Sequence, residues 1–465
     1  MNRRTFLHAG ALSIAAARAG VSAPALTAIS ADRARGLENT LALPSQAQLA
    51  WQRDELAMFL HFGVNTFTDR EWGDGKEEPA IFDPTRLDAR QWARTAKAAG
   101  FRALILTAKH HDGFCLWPTA TTRHSVAASP FRGGQGDVVR EFVDACAAEG
   151  LRAGLYLSPW DRNHPTYGDS PAYNDVYATQ LTELLTRYGT ISEVWFDGAN
   201  GEGPNGRRQV YDWPRVWGLV RRLQPGAVIF SDAGPDVRWC GNERGVAGSP
   251  NWSAVDPAIV RFPGQSDDAV GPALQHGNPT GSAWRPAEVD VSIRPGWFYH
   301  PAQDSAVRTE ENLVQLYFTS VGRNAKLLLN VPPTRDGLLH DTDAARLLGL
   351  HRRLEAMRAS SVSLTRSSWR RTGERTAVGE WSLGREATPT VVRLGEDIAR
   401  GQRVARYTLE GKGAGGWQPI GSGTTIGYCW LERIESVAPI RQVRLRVEDA
   451  LAPPEPVTLE LFSQV

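Results

Sequence analysis

Short apolar runs alternate with helical patterns from about residue 57 to about residue 359. This alternation is typical of parallel strands that are joined by crossover helices. Most of the runs are continuously apolar, as expected of strands that are covered on both faces. The pattern predicts seven strands, at residues 57–62, 103–107, 152–157, 192–196, 227–230, 289–293 and 326–330.

Helical patterns lie between these strands. They span residues 87–99, 138–149, 172–187, 213–223, 310–321 and 341–359. Seven strands and six helices predict an α/β fold, a (β/α)8-like TIM barrel with one irregular or missing unit. A doubly wound open sheet is the alternative. It usually carries a Gly-rich phosphate loop after its first strand, and His-Phe-Gly-Val-Asn at residues 61–65 is not such a loop.

The helical period ends after residue 359. Short alternating runs follow, at residues 390–394, 403–409 and 442–447, and Gly-rich turns separate them. This pattern predicts a C-terminal antiparallel β-sandwich. We therefore divide the chain into a barrel domain at residues 40–359 and a sandwich domain at residues 360–465.

The N-terminus is similar to a twin-arginine export signal. Arg3 and Arg4 precede a small and apolar run at residues 9–17, and Ala-Pro-Ala follows at residues 23–25. We assign residues 1–28 to this signal and expect a periplasmic or secreted protein; a short amphipathic anchor helix is the alternative. No later stretch of the sequence has the ~20 apolar residues that a membrane-spanning helix needs.

Composition narrows the class of partner. The 52 basic and 51 acidic side chains nearly cancel, which removes the electrostatic argument for nucleic acid or an anionic membrane surface. The 16 Trp residues outnumber the 15 Phe and the 10 Tyr, and an indole face can stack on a sugar ring. The four cysteines contain no Cys-x-x-Cys pair, so we expect free, buried thiols rather than a zinc ribbon or a disulfide scaffold; one oxidised pair in an exported protein is the alternative.

Polar and aromatic residues follow nearly every predicted strand, where a barrel of this kind carries its reacting groups. Asp197 is the most distinctive of them, because it comes directly after the apolar Val-Trp-Phe run at residues 194–196. A carboxylate there is costly to bury without partners, which favours a catalytic nucleophile. A loop Asp that caps the turn before Gly198 is the alternative.

If the reaction is glycoside hydrolysis, a second carboxyl group is needed, ~5–5.5 Å from the first in retaining enzymes. The candidates near strand five are Glu243, Asp232 and Asp236. Glu243 lies in a glycine-flanked loop at residues 240–245, and a surface ion pair with Arg244 is its alternative role.

The adjacent residues His110 and His111 are the most evident candidates for metal ligands. Neighbouring side chains on an extended strand point to opposite faces, so we expect them to recognise sugar hydroxyls or to lie in the core. A metal-dependent amidohydrolase would need a His-x-His pair on the first strand, where only His61 is found. The sequence predicts no metal and no organic cofactor.

Four segments carry a resemblance to a known family. They are Phe-Leu-His-Phe-Gly at residues 59–63, Ala-Lys-His-His-Asp-Gly-Phe at 108–114, Val-Trp-Phe-Asp-Gly at 194–198 and Leu-Leu-Leu-Asn-Val-Pro-Pro at 327–333. At these residues the chain resembles the family 29 glycoside hydrolases, the α-L-fucosidases. The resemblance implies an exo-acting, retaining enzyme with Asp197 as nucleophile and a fucosylated oligosaccharide or glycoprotein glycan as substrate.

Residues 234–245 resemble the subgroup that cuts α-1,3 and α-1,4 fucosyl branches, which implies Glu243 as the acid/base. The alternatives are a fucosidase of broader linkage specificity and a non-catalytic glycan-binding protein. The resemblance also implies a sugar-binding set of His61, Glu71, Trp72, His110, His111, Trp117, Tyr156, Trp195 and Trp297.

Overall fold

The computed structural model describes residues 41–435 and 438–464. The predicted export signal at residues 1–28 lies outside the described residues. No helix of the described chain is both long enough and apolar enough to cross a membrane. Cys115, Cys146, Cys240 and Cys429 are buried free thiols, as predicted.

Eight parallel strands close into a barrel, in the order β1-β2-β3-β4-β5-β6-β9-β10 and back to β1. All seven predicted strands are present within two or three residues of the expected bounds, and the predicted barrel is confirmed. The strands are β1 (Leu56–Leu60), β2 (Ala103–Lys109), β3 (Arg152–Leu157), β4 (Glu193–Trp195), β5 (Val228–Ser231), β6 (Val237–Trp239), β9 (Ala287–Ser292) and β10 (Ala325–Asn330), with a small antiparallel pair, β7 (Ala254–Val255) and β8 (Ala283–Trp284), inserted between them.

The strand β6 is the irregular unit of the barrel. It follows β5 after residues 232–236 alone, without a crossover helix, and it still pairs with β5 in parallel. Its three residues include Arg238, whose buried guanidinium donates to the carbonyl of Leu274 and to the side chain of Asn251. A strand of this length with a charge at its centre has no apolar run, so the hydrophobic pattern missed it.

Helices surround the barrel, and the six predicted helices are all present. They are α1 (Gln46–Arg53), α2 (Val64–Thr68), α3 (Ala89–Ala98), α4 (Val138–Glu149), α5 (Ser170–Arg187), α6 (Trp213–Leu223), α7 (Val270–His276), α8 (Glu310–Thr319) and α9 (Asp341–Ala359). Asp88, Asp137, Asp212 and Thr309 begin four of them by accepting a hydrogen bond from the backbone of the first turn.

The helix α1 lies across the lower end of the barrel, where the strands begin. The Trp51 indole donates to Glu193 Oε2 at 2.9 Å, and Lys326 Nζ lies 3.1 Å from the same oxygen. Glu288 completes this buried group, with Oε1 3.9 Å from Lys326 Nζ. The lower end of the barrel is thus closed by an indole and a cluster of buried charges.

Two antiparallel sheets follow the barrel and pack against each other, which confirms the predicted sandwich. Their strands are β11 (Leu364–Arg371), β12 (Ala377–Ala387), β13 (Val391–Gly395), β14 (Val404–Gly413), β15 (Gly416–Gly423), β16 (Trp430–Arg433), β17 (Ile440–Ala450) and β18 (Thr458–Phe462). One sheet has the order β11-β12-β17-β14-β15 and the other β16-β13-β18. Leu445 of the first sheet and Leu394 of the second lie in one hydrophobic core.

The sandwich contacts the base of the barrel through charged side chains. Glu55 accepts hydrogen bonds from Arg393 at 2.6 Å and from the hydroxyl of Tyr428 at 3.2 Å. The helix α9 ends at Ala359 and β11 begins at Leu364, close to the predicted division of the chain. The domain limits at residues 40, 359 and 360 stay predictions, because the bounds of helices and strands do not define units that fold alone.

Candidate active site

A pocket of about 420 Å³ opens at the C-terminal ends of the barrel strands. Ten of the eleven side chains that the sequence assigned to the site line it; Trp117 does not. Phe59 and Asp290, which the sequence reasoning did not include, also line the pocket. The lining side chains are Phe59, His61, Glu71, Trp72, His110, His111, Tyr156, Trp195, Asp197, Glu243, Asp290 and Trp297.

Asp197 lies just beyond β4 and is buried, as its position after an apolar strand indicated. Its Oδ2 accepts a hydrogen bond from the Tyr156 hydroxyl at 3.3 Å, and His111 Nε2 lies 4.0 Å from the same oxygen. Its Oδ1 accepts from the backbone N–H of Ala199 at 2.7 Å. The two hydrogen bonds offset the cost of burying the carboxylate and fix its orientation. The Oδ1 contact is also a turn-capping bond, so the two predicted roles of Asp197 are compatible.

The histidines are oriented by polar groups on neighbouring strands. His61 Nδ1 lies 2.8 Å from Asn330 Oδ1, and His111 Nδ1 lies 2.7 Å from Ser158 Oγ. The expectation that His110 and His111 point to opposite faces was wrong, because β2 ends at Lys109 and both rings face the pocket, 4.1 Å apart. No group of three metal-ligating side chains occurs among the described residues.

Glu71 joins two loops of the pocket wall. Its Oε2 accepts from the backbone N–H of Trp297 at 2.8 Å, and its Oε1 lies 2.6 Å from His300 Nε2. A Cβ at Gly296 would lie 2.1 Å from Glu71 Oε1, so only glycine allows this approach. The carboxylate therefore fixes the loop after β1 against the loop that carries the Trp297 ring.

The three candidates for the second carboxylate lie in different places. Glu243 lines the pocket from the loop after β6. Asp232 is buried and accepts from the backbone of Gly264 at 2.9 Å, but it does not line the pocket. Asp236 precedes β6 at the lower end of the barrel, where its carbonyl accepts from Gln48 of α1. Of the three, Glu243 alone shares the pocket with Asp197.

Trp117 is placed in the core rather than in the pocket. Its ring is fully buried, and its indole N–H donates to Glu183 of α5 at 2.8 Å. The bond satisfies the indole N–H and turns the ring toward the outer helices. The assignment of Trp117 to the sugar site by resemblance does not agree with this position.

Asp290 is a pocket residue that the sequence could have indicated, because it is an acidic residue within a predicted buried strand. It interrupts the apolar run at residues 289–293, and on β9 it points into the barrel interior, where Trp239 Nε1 donates to its Oδ1 at 2.6 Å. A carboxylate within a buried strand is as unusual as one after it, so the criterion that found Asp197 could have found Asp290. Phe59 carried no such signal, because an apolar side chain in β1 is expected.

Asp112, next to His111, supports the pocket from outside. Its Oδ1 accepts from the backbone of Phe114 at 2.7 Å, and the Asn65 amide lies 3.1 Å from its Oδ2. Burial raises the pKa of the Asp112 carboxyl to about 7. The carboxyl is therefore protonated over much of the acidic range, and its Oδ2 accepts from the Asn65 amide in the loop that follows β1.

A closed barrel whose C-terminal pocket combines carboxylates with imidazole and indole rings is the arrangement of a glycoside hydrolase. Comparison with known proteins agrees. The family model described as Alpha-L-fucosidase matches residues 50–357. Alpha-L-fucosidase 1 of Arabidopsis thaliana is 43% identical over 444 residues, which cover 89% of this chain and 86% of the plant protein.

Solved structures show the same similarity. A glycoside hydrolase 29 family member from an unknown rumen bacterium has a TM-score of 0.83 at 38% identity, over 92% of this chain and 78% of that one. A Ruminococcus gnavus GH29 fucosidase in complex with fucose has a TM-score of 0.78 at 30% identity, over 91% of this chain and 94% of that one. The chain belongs to the α-L-fucosidase family, and it is an α-L-fucosidase.

Proposed function

We propose that this fucosidase is exo-acting and retaining, and that it removes terminal L-fucose from fucosylated oligosaccharides or glycoprotein glycans. One observation carries the proposal. Asp197 and Glu243 line the same pocket, and the oxygens of Asp197 are held by the Tyr156 hydroxyl and the Ala199 N–H. A fixed carboxylate is suited to attack, while the half-buried Glu243 on a loop is suited to exchange protons with a leaving group and with water.

The proposed reaction has two steps. In the first, an Asp197 oxygen bonds to the anomeric carbon while the bond to the glycan oxygen breaks, and Glu243 gives that oxygen its proton. In the second, Glu243 takes a proton from water, whose oxygen replaces Asp197 at the anomeric carbon and releases fucose. Two inversions retain the anomeric configuration. His111 and Tyr156, beside Asp197, stabilise its charge when it departs.

We propose α-1,3 and α-1,4 linkages as the preferred substrates. The resemblance of residues 234–245 supports this choice, and so does an aromatic rim suited to a branched acceptor. The Trp160 ring meets Trp72 edge to face at 5.5 Å, and the Arg162 guanidinium lies 5.4 Å above Trp160. Broader specificity is the alternative. Hydrolysis of α-1,2, α-1,3, α-1,4 and α-1,6 fucosides decides between them, and equal rates on all four would reject the narrow preference.

The role of Asp197 is tested by Asp197→Ala with an aryl fucoside. We expect loss of turnover and partial rescue by azide, which would give a fucosyl azide of inverted configuration. Asp232→Asn serves as the control, because Asp232 is a nearby buried carboxylate outside the pocket wall. Full activity of Asp197→Ala would overturn the assignment. Activity that persists in a strong chelator is also expected, since no step needs a metal.

The role of Glu243 is tested by Glu243→Gln with two leaving groups. An activated aryl fucoside needs little protonation, so its first step should be nearly unchanged. A fucosylated trisaccharide needs full protonation and should lose about 10²–10⁴-fold in kcat/KM. An equal loss on both substrates would point to another acid.

We also propose export through the twin-arginine signal at residues 1–28, on the basis of the sequence pattern alone. The paired variant Arg3→Lys, Arg4→Lys should accumulate with its signal uncleaved inside the cell, whereas the native chain should reach the periplasm or the medium. Fractionation of both forms followed by activity measurement checks this. Export of the paired variant at the native level would reject a twin-arginine route.

A further inference from the structure

The loop that carries Glu243 is held by groups outside the pocket. Residues 240–246 turn away from β6 and return, and Glu243 lies at the centre of this turn. Gly241 and Gly245 flank it with φ angles of +82° and +81°. A Cβ at Gly245 would lie 2.1 Å from the Leu316 side chain of α8, so the loop is seated directly on that helix.

Asn242, the residue before Glu243, ties the two arms of this loop together. Its Nδ2 donates to the carbonyl of Val246 at 2.8 Å and to Gln275 Oε1 at 2.9 Å. Its Oδ1 accepts from the backbone N–H of Arg244 at 3.0 Å. The amide therefore bonds to the residue that follows Glu243, to the far arm of the loop and to α7.

Two further bonds complete the arrangement. Gln275 Nε2 donates to the same Val246 carbonyl at 3.0 Å, and the Cys240 thiol lies 3.2 Å from the carbonyl of Asn242. The backbone on both sides of Glu243 is thereby fixed by side chains that do not line the pocket. Arg244 is exposed, so the turn separates the two charged side chains.

We propose that Asn242 is a positioning residue for Glu243 and that Gln275 supports it. A general acid works only within hydrogen-bond reach of the oxygen it protonates, and a misplacement of ~1 Å can cost about 10²-fold in rate. Glu243 stands on a loop rather than a strand, so its placement depends on this amide network. The inference rests on the proposed role of Glu243 as the acid/base.

The test compares Asn242→Ala and Gln275→Leu with Glu243→Gln. The first variant removes every bond of the Asn242 amide, and the second removes the α7 support without a change of charge. The control is Asn278→Ala, because Asn278 Oδ1 makes the same kind of bond, to the backbone N–H of Thr280 at 2.8 Å, away from the pocket. For each variant kcat/KM is measured with a fucosylated trisaccharide and with a dinitrophenyl fucoside.

We expect Asn242→Ala to lower kcat/KM for the trisaccharide by about 10–100-fold and for the dinitrophenyl fucoside by less than about threefold, because only the first needs a placed acid. Gln275→Leu should show the same selectivity with a smaller loss, and Asn278→Ala should change neither substrate. Equal losses on both substrates, or no loss, would overturn the positioning role. If Glu243→Gln is itself unselective, the acid/base assignment fails, and the inference fails with it.

Discussion

Glu71 and His300 are joined by a short polar contact, 2.6 Å between Oε1 and Nε2. The other ring nitrogen of His300 lies 2.8 Å from Asp69 Oδ1, so the imidazole bridges two carboxylates of the loop after β1. Arg335 also faces Asp69, at 3.7 Å. The ring thus belongs to a charged network that holds Glu71 beneath the backbone of Trp297.

His300→Phe should weaken substrate binding more than it slows chemistry. Without the imidazole, Glu71 keeps only the Trp297 N–H, and a charge-assisted hydrogen bond is worth about 1.5–3 kcal/mol. We expect KM for an aryl fucoside to rise by roughly 10-fold or more, with kcat changed much less. His300→Gln, which can keep one of the two bonds, should fall between the native and Phe forms. An unchanged KM in His300→Phe would contradict the role of this bridge.

Tyr156→Phe should lower kcat while the pocket keeps its shape. The variant removes the hydroxyl that donates to Asp197 Oδ2 at 3.3 Å and leaves the ring in place. Loss of one hydrogen bond to a charged group predicts a fall of about 10-fold, since this bond is long. Tyr299→Phe is the control, because its hydroxyl bonds to Asp304 outside the pocket wall. Equal kcat values for the native enzyme and Tyr156→Phe would show that the hydrogen bond to Asp197 does not contribute to catalysis.

Asp112 predicts a dependence of stability on pH. Its pKa is about 7 in the folded chain because of burial, against 3.8 as the ordinary value. Between these two values the unfolded carboxyl is ionised and the folded one is protonated, so folding stability falls as pH rises through this window and levels off above it. Linkage gives an upper bound of about 4 kcal/mol for this one group.

Asp112→Asn removes that proton and should flatten the dependence. Rotation of the Asn65 amide can satisfy the new side chain, so the fold should survive. Urea unfolding gives the free energy of unfolding of both forms at pH 5 and pH 8. The effect of the Asp112 proton is the change, between the two pH values, in the difference between the native enzyme and the variant. We expect the variant to gain stability relative to the native enzyme at pH 8. If the difference in free energy of unfolding between the two forms does not change with pH, the raised pKa of Asp112 is refuted.

Lys326→Met should be far more disruptive than Glu288→Gln. The lysine is the buried cation beside Glu193 and Glu288, and burial together with the charge of Glu193 raises the pKa of Glu288 well above its usual range. Removal of the cation leaves the carboxyl pair uncompensated, which costs about 3–5 kcal/mol in buried ion pairs. Gln mimics the protonated Glu288 and can still accept from the Trp195 indole. Comparable melting temperatures for the two variants would contradict this account.

The sequence predicted the barrel and most of the pocket because both depend on local patterns. Strand ends in a parallel barrel meet at one rim, so Asp197, His110 and Tyr156 could be grouped without coordinates. The strand β6 escaped because Arg238 interrupts it, and its charge is satisfied only by distant carbonyl and amide groups. Hydrogen bonds between residues that are far apart in the sequence produce no periodic pattern of polar and apolar residues.

The position of Asp236 and the direction of the Trp117 ring are two features that the sequence did not predict. The ring of Trp117 is turned by its bond to Glu183. Asp236 comes only four positions after Asp232, yet its backbone N–H donates to Ile229 near the start of β5, whereas Asp232 follows the end of that strand. Short β5 and β6, joined directly, make that separation possible. The direction of a side chain and the direct connection between β5 and β6 determine where these residues lie. Residue type and spacing predict neither of them.

The lower end of the barrel is occupied by buried side chains of α1, β4 and β10. Trp51, Glu193 and Lys326 are joined by hydrogen bonds at that end, and the pocket of Asp197 opens at the opposite end, so we expect substrate and products to pass through the upper opening. Under the proposed two-step reaction, the glycan acceptor leaves before water arrives, and fucose departs last through the same opening. Free fucose should therefore act as a competitive inhibitor. An added alcohol that enters the opening should accept the fucosyl group in place of water and form a new fucoside.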